Sequence, residues 1–199
     1  MSVQGAALTS NDFNSIIDDM ASQFKSDRRL QSYSAESQRL NKLYESLEPV
    51  SLAVGYVSDG GDSQVVDSFV GDCKANLNSE SAGFHSRTSD YTKALEASRN
   101  QDEFSKMIDE MADEAKRKTA ATIDHWRDQA KELCKKNPEA AHGIIFAFQS
   151  LCSLANKVFS AIIDFFGSII RSVVNWLVNA WTSIKNFFSD VSHLISGWF

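Results

Sequence analysis

Only two prolines, Pro49 and Pro138, interrupt the 199 residues of this chain, and its nine glycines are the other strong helix breakers. A β-sandwich or barrel needs turn residues roughly every 8 to 12 positions, which this spacing does not supply. The proline-free stretches instead carry apolar residues at helical spacing. The sequence therefore predicts an all-α fold of long amphipathic helices, arranged as a helical bundle or as elongated helical hairpins.

The first helix is predicted from apolar residues that recur at steps of three and four between Phe13 and Leu47, ahead of Pro49. Ser10 or Asn11 is expected to cap its start, since both side chains can accept a hydrogen bond from a free backbone N–H group. A helix of about 35 residues would be roughly 50 Å long. Its apolar seam is narrow, as in a coiled coil, and requires a partner helix.

A loop is predicted at residues 50–62, where three glycines and two aspartates replace the helical pattern. A second helix should run over residues 65–77, because its apolar side chains return at helical spacing. The polar stretch 78–83 is expected to end it.

Thr88 or Ser89 is expected to cap a third helix, which continues past Leu133. Asn137 followed by Pro138 is the sharpest predicted boundary in the chain, since proline is favoured in the first turn of a helix and asparagine favours the cap. Another helical segment should begin there.

The composition changes at this boundary. Residues 140–199 carry three basic and two acidic side chains, a net charge of +1, which leaves −7 for residues 1–139 out of the total of −6. The same sixty residues hold eight of the 13 phenylalanines and three of the 4 tryptophans. We therefore divide the chain into an acidic amphipathic helical region, residues 1–136, and an apolar, aromatic-rich amphipathic helical segment, residues 137–199.

The apolar residues of the C-terminal segment come as adjacent pairs, and successive pairs recur every three or four positions. Together they cover well over half of a helix circumference. The residues expected to contact a membrane or another copy of the chain are Ile162, Ile163, Phe165, Phe166, Ile169, Ile170, Val173, Trp176, Leu177, Trp181, Phe187, Phe188 and Trp198. The remaining positions predict one narrow polar stripe, whose candidate functional residues are Asn156, Asp164, Arg171 and Asn175. A surface helix shows the opposite proportions.

A helix with this pattern fits two environments, the centre of a helical bundle or a membrane. One straight helix of sixty residues would span roughly 90 Å, so a bend is expected, either at Gly167 and Ser168 or within residues 175–179. The product would be an apolar helical hairpin that the helices of residues 11–135 cover while the protein is soluble. This plan is similar to the general organisation of helical pore-forming and membrane-translocating proteins.

Two functional hypotheses follow. The first is a membrane-active protein, such as a pore-forming toxin, effector or translocator, that inserts or associates through its C-terminal segment. The second is a structural or adaptor protein whose C-terminal segment is an oligomerisation core. The expected partners are a lipid membrane or a second copy of the chain, and a helical protein partner is compatible with the seams of residues 1–136.

Other classes of function are not expected. The acidic charge and the absence of a concentrated basic surface exclude a nucleic-acid binder. Glu139 and His142 give a single Glu-x-x-His, whereas a di-iron bundle uses two copies with further glutamates, so no metal is expected. No nucleophile elbow, dinucleotide-binding turn or paired-cysteine motif occurs, so neither an enzyme nor a cofactor is expected.

The first residues, 1–11, lack the basic start and continuous apolar run of a secretory signal peptide. We therefore expect a protein made without a Sec signal. It would be cytoplasmic or exported by a specialised route, and would then become associated with a membrane.

Overall fold

The computed structural model describes residues 8–26, 62–171 and 180–198 of the chain. Those ranges contain five α-helices, a short 3₁₀ turn at Pro138–Ala140 and no β-strand. The helices are α1 (Ser10–Ser26), α2 (Asp62–Ser98), α3 (Gln101–Lys136), α4 (Ala141–Arg171) and α5 (Ala180–Ser196). The predicted all-α class, with long helices and an apolar C-terminal helical segment, is confirmed.

The cap of α1 lies at Thr9, one residue before the predicted cap at Ser10 or Asn11. The hydroxyl of Thr9 accepts a hydrogen bond from the backbone N–H of Asp12 at 3.2 Å and donates one to its carboxylate at 2.6 Å. Because the carboxylate of Asp12 also faces the positive end of the helix dipole, the two residues stabilise this terminus together. The rest of the predicted first helix and the loop at residues 50–61 lie outside the described residues.

The predicted break at residues 78–83 is wrong, and so is the predicted helix start at Thr88 or Ser89, because α2 continues without interruption from Asp62 to Ser98. The buried positions of this helix recur at steps of four and three, namely Phe69, Cys73, Leu77, Ser81, Phe84, Thr88, Thr92 and Leu95. The seam therefore passes straight through the polar stretch. Local polarity does not end a helix whose buried face continues on both sides.

The actual break comes at Arg99 and Asn100. Arg99 has a φ of 56°, the left-handed conformation that ends many helices, and its N–H donates to the carbonyl of Leu95 at 2.7 Å. Asn100 then caps α3. Its side-chain oxygen accepts from the N–H of Glu103 at 3.2 Å, while its amide donates to the Glu103 carboxylate at 3.0 Å. The side chains of Asn100 and Glu103 thus bond each other at the start of α3, while the backbone N–H of Asn100 donates to the Ser98 hydroxyl at 3.2 Å. An asparagine cap is a signal that the sequence contains.

The predicted boundary at Asn137 and Pro138 is confirmed, since α3 ends at Lys136 and Pro138 opens the 3₁₀ turn. Asn137 occupies the predicted N-cap position before Pro138, but its side chain makes no capping hydrogen bond there. Its side-chain amide donates instead to the carbonyl of Leu133 at 3.1 Å. Asn137 therefore closes α3.

The predicted bend at Gly167 and Ser168 is also wrong, because α4 continues through both residues to Arg171. The hydroxyl of Ser168 donates to the carbonyl of Phe165 at 2.7 Å, which satisfies it within the helix. The alternative bend, at residues 175–179, lies outside the described residues.

Two compact units make up the fold, one of residues 1–71 and 124–152 and the other of residues 72–123 and 153–199. These units are defined by which residues contact each other in the fold. The predicted division at residue 136 is based on composition, and it stays a prediction. In the first unit, α1 runs antiparallel to α3, with Lys25 paired to Asp124 at 2.7 Å and Lys131 to Asp18 at 2.6 Å. The core of this unit includes Phe13, Ile17, Met20, Trp126 and Phe148.

In the first unit α4 also approaches α2 closely at Gly143. A methyl group on Gly143 would lie 2.8 Å from the Cγ2 atom of Val66, which is nearer than two carbon atoms can pack. Glycine is therefore required there for the observed approach of the two helices.

The second unit is made of the segments of α2, α3 and α4 within residues 72–123 and 153–171, together with α5. Contacts of Phe165 with Phe187 and of Lys157 with Trp198 show that α4 and α5 form an antiparallel hairpin. We call residues 153–198 the C-terminal hairpin. It contains most of the residues that the sequence marked as functional.

We predict that Asn100→Ala lowers the free energy of unfolding by about 1 kcal/mol, because it removes the cap of α3. Urea unfolding followed by circular dichroism measures this.

Asn78→Ala is the control, since Asn78 lies inside α2, where alanine is the better helix former. It should leave the stability unchanged or slightly raised. A larger loss from Asn78→Ala than from Asn100→Ala would contradict the observed position of the break.

Candidate functional site: the apolar face of the C-terminal hairpin

The exposed residues of α4 within the second unit lie on one narrow stripe, made of Lys157, Ser160, Asp164, Ser168 and Arg171. Their steps of three and four keep them on one side of the helix. Every other residue from Ser153 to Ile170 is buried or half-buried. The helix is therefore apolar and covered around most of its circumference, in the proportions expected from the sequence.

Two residues of the predicted polar stripe do not lie on this exposed side. Asn156 is only 6% exposed and belongs to the buried part of α4. Asn175 lies outside the described residues. Asp164 and Arg171 are exposed, and neither forms an ion pair with any described residue. In the folded protein these two charges are solvated.

The predicted apolar contact residues fall into three classes of exposure. Those that are buried are Ile162, Phe166, Ile169 and Phe188. Those that are half-buried are Ile163, Phe165, Ile170, Phe187 and Trp198. Trp181 is 41% exposed, and Val173, Trp176 and Leu177 lie outside the described residues.

The two helices of the hairpin meet through aromatic side chains. The rings of Phe165 and Phe187 are stacked, with centroids 4.1 Å apart and planes 4° from parallel. Phe188 meets Phe165 edge-on at 6.0 Å. The ammonium group of Lys157 lies 4.2 Å from the ring centroid of Trp198, a cation–π contact. The charge of Lys157 is thus held against the hairpin.

Helix α2 covers the apolar face of the hairpin, and Phe84 is the centre of this contact. Its ring meets Phe159 edge-on at 6.4 Å and Phe166 at 5.9 Å in a tilted arrangement. The neighbouring His85 stacks on Phe188 at 4.9 Å. Aromatic pairs of this kind add about 0.5–1.5 kcal/mol each beyond the burial of their surface. The sequence predicted that helices of residues 11–135 cover the hairpin, but it did not single out α2 or Phe84.

Between Leu77 and Leu95, the other buried side chains of α2 are small and polar. Ser81 is 6% exposed, and Thr88 and Thr92 are fully buried. The hydroxyl of Thr88 donates to the carbonyl of Phe84 at 2.7 Å, and that of Thr92 donates to the carbonyl of Thr88 at 2.8 Å. Because both threonine hydroxyls bond within α2, they can stay satisfied whether or not α2 packs on another helix.

Polar contacts between α2 and α5 lie at the edge of the covered face. The indole N–H of Trp181 donates to the carboxylate of Glu96 at 2.9 Å, and the Lys74 ammonium donates to the Ser196 carbonyl at 3.4 Å. Both bonds are exposed to solvent, where competition with water leaves little net stabilisation.

Ion pairs join α2 to α3 instead. The guanidinium of Arg87 forms two hydrogen bonds with the carboxylate of Glu114, and Lys118 pairs with Glu80 at 2.8 Å. This hydrogen bonding lowers the pKa of Glu114 and raises the pKa of Arg87, because it stabilises the charged form of each group. Lys116 also pairs with Asp113 in the same helix at 2.7 Å, so both Lys116 and Lys118 are paired with acidic side chains.

One helical stretch in the described part of the chain, Pro138–Arg171, is long and apolar enough to cross a membrane. About 44% of its most apolar window is buried in the fold. The core helix of a soluble protein has the same length and composition, so this property is compatible with both functional hypotheses.

The described residues contain no group of three or more histidine, cysteine or acidic side chains that could hold a metal ion. Cys73, Cys134 and Cys152 are buried and form no disulfide bond with one another. Burial, together with the nearby carboxylate of Asp72, raises the pKa of Cys73, and burial also raises that of Cys134. A buried thiol with a raised pKa is a poor nucleophile.

We predict that the Arg87–Glu114 pair stabilises the protein at neutral pH and loses this effect in acid. Since the pKa of folded Glu114 lies below the ordinary value of 4.5, its contribution is present above that value and disappears as the pH falls through the lowered one. Glu114→Gln should lower the free energy of unfolding at pH 7 by up to about 1 kcal/mol, because the pair is partly exposed. Denaturant unfolding at several pH values measures this.

The exposed Glu132 forms no ion pair with a described residue, so Glu132→Gln is the control and should show no such loss. A difference between wild type and Glu114→Gln that persists unchanged well below pH 4.5 would contradict the assignment.

Known proteins do not indicate a function for this chain, so the proposal below is based on the geometry of the C-terminal hairpin. No family model matches the chain, and no curated protein or solved structure shows significant similarity to it.

Proposed function

We propose that this protein associates with membranes through its C-terminal hairpin, and that the described fold is its soluble form. The observation that supports the proposal is the width of the apolar face of α4, whose exposed side in the second unit is a single stripe from Lys157 to Arg171. Such a helix can exchange the apolar surface of a bundle for the apolar interior of a lipid layer. Pore formation or translocation by a toxin or effector is the finer form of this proposal.

The energetic argument rests on the hairpin's own side chains. Moving one phenylalanine or isoleucine from water into an apolar environment gains about 1.5–3 kcal/mol, and a bilayer can supply that environment as well as α2 does. The exposed ring of Trp181 and the half-buried ring of Trp198 lie near opposite ends of α5. Tryptophan favours the boundary between lipid and water, so both positions suit a helix lying in that boundary.

Association requires the covering helix to separate from the hairpin. The contacts that would be lost are chiefly aromatic, from Phe84 and His85, and lipid contacts can replace them. The ion pairs of Arg87 and Lys118 lie between α2 and α3 and would persist. The main loss is therefore apolar contact, which a bilayer can compensate.

We predict that Ile163→Asp or Ile170→Asp abolishes binding to lipid vesicles. An unpaired carboxylate in an apolar environment costs several kcal/mol or must take up a proton. Both isoleucines are half-buried, so these changes perturb the soluble fold less than a change at the fully buried Ile162. Flotation of the full chain with vesicles, from neutral to acidic pH, measures binding.

Ser160→Asp is the matched control, because it adds the same charge on the exposed side of the same helix. It should bind as the wild type does. Failure of the wild type to float at any pH would refute the membrane proposal, and equal binding by both isoleucine variants would refute the role of this face.

The alternative proposal is a structural or adaptor protein in which the C-terminal segment is an oligomerisation core. The packing of the apolar face of α4 against helices of its own chain favours it, since helices of a second copy offer the same kind of surface. In that case the partner is another copy of the chain, and light scattering should find a defined oligomer without lipid.

We predict that Asp164→Lys leaves the stability of the soluble protein within about 0.5 kcal/mol of wild type, because Asp164 is exposed. If copies pair through this stripe, the variant should lose self-association, and adding Arg171→Asp should partly restore it. If the stripe lines a water-filled path, the single reversal should change ion selectivity in planar bilayers with little loss of insertion.

The matched change for this test is Lys185→Asp, since Lys185 is an exposed cation on α5 away from the stripe. Binding, assembly and conductance that are unchanged in the Asp164 variants and in the control would leave Asp164 and Arg171 as solvated surface charges only.

A further inference from the structure

The two surfaces of α2 within the second unit are held by different chemistry. Toward α3 the helix forms charged hydrogen bonds, from Arg87 to Glu114 and from Lys118 to Glu80. Toward the hairpin it presents the large aromatic side chain of Phe84, and the other buried residues between Leu77 and Leu95 are small and carry hydroxyl groups. We call the buried residues Ser81, Phe84, Thr88 and Thr92 the α2 seam.

We propose that the α2 seam is an autoinhibitory contact, whose strength sets how readily the C-terminal hairpin is released to a lipid surface. The inference rests on the proposed membrane function and names the regulation of that same site. In this proposal, α2 separates from the hairpin while α2 stays paired with α3. Phe84 is the main attachment of α2 to the hairpin.

The seam is suited to release because its polar groups lose nothing on separation. The hydroxyls of Thr88 and Thr92 donate to carbonyls of α2 itself, at 2.7 and 2.8 Å. A buried hydroxyl that is bonded to its own helix contributes no bond across the interface, while it replaces a methyl group that would have packed there. The seam is therefore weaker than an aliphatic one of the same length.

Phe84 makes the main contact between the α2 seam and α4. Phe84 is fully buried and contacts two rings of α4, those of Phe159 and Phe166. The guanidinium group of Arg87, on the same helix as Phe84, lies 5.0 Å from the centroid of the Phe84 ring. The contact of Arg87 with Phe84 lies within α2 and does not attach the helix to the hairpin. Truncation of Phe84 should therefore weaken the interface between α2 and α4 selectively.

The ion pairs between α2 and α3 keep these two helices together when α2 separates from the hairpin. The turn at Arg99 and Asn100 connects α2 to α3 within two residues, and both ion pairs lie along the helices beyond it. Separation from the hairpin that preserves these pairs moves α2 and α3 as one helical pair. This pair is the charged half of the unit, and it can remain in water.

The test uses the full chain and vesicles of mixed phosphatidylcholine and phosphatidylglycerol, with a partition coefficient measured at a temperature where every variant is folded. Phe84→Ala should raise the coefficient by about tenfold or more, since core phenylalanine truncations shift equilibria by more than that factor. Phe13→Ala is the control, because Phe13 is equally buried but belongs to α1 and the first unit. It should change the coefficient little.

A second variant tests the opposite direction. Thr88→Val with Thr92→Val replaces the two seam hydroxyls by methyl groups, which pack against the hairpin and leave the carbonyls of Phe84 and Thr88 with their helical bonds. The coefficient should fall by about threefold to tenfold, and the thermal midpoint should rise. Ser86→Val, which adds the same side chain on the exposed side of α2, should not lower it.

The outcomes separate the inference from the proposed function. If the wild type does not bind vesicles at any pH, the membrane function fails and the inference falls with it. If all variants bind equally while Ile163→Asp does not bind, the membrane function stands and the autoinhibitory role is refuted. An equal rise for Phe13→Ala and Phe84→Ala would attribute release to general instability and would also refute it.

Discussion

Burial of the apolar circumference of α4 is the constraint on which the second unit depends. A helix whose exposed side is a single stripe, Lys157 to Arg171, cannot stand in water on its own. Aromatic side chains of two helices pack on it: Phe187 and Phe188 from α5, and Phe84 from α2. The aromatic contacts therefore form along α4, while charged pairs join α2 to α3.

The covering helices α2 and α3 are joined to each other by charged hydrogen bonds, whereas α2 is attached to α4 mainly by apolar contact. Charged hydrogen bonds join α2 to α3, whereas Ser81, Thr88 and Thr92 present small hydroxyl-bearing surfaces to the core. This distribution suits both proposals for the hairpin, because either a bilayer or another copy of the chain would have to displace α2. A cover made of leucine at the same positions would resist displacement by several kcal/mol more.

Helix boundaries show where local sequence is informative. The boundary at Asn137 and Pro138 was predictable because proline cannot continue a helix, and this effect is local. The turn at Arg99 and Asn100 was also encoded locally, in the cap that the Asn100 side chain provides to the N–H of Glu103. The predicted breaks at residues 78–83 and at Gly167 failed because serine, asparagine and glycine weaken a helix by at most about 1 kcal/mol each, and burial on both sides outweighs that cost.

The sequence by itself determined the all-α class, the apolar character of the C-terminal segment and the position of Asp164 and Arg171 on one side of a helix, because helical periodicity and side-chain polarity are local properties. Tertiary structure alone decided which helix covers that segment, and it buried Asn156 and the threonines of α2. Those choices depend on contacts between residues far apart in the chain, such as Phe84 with Phe159 and Phe166. A narrow seam shows that a partner is needed, but which partner it meets depends on the packing of the whole unit.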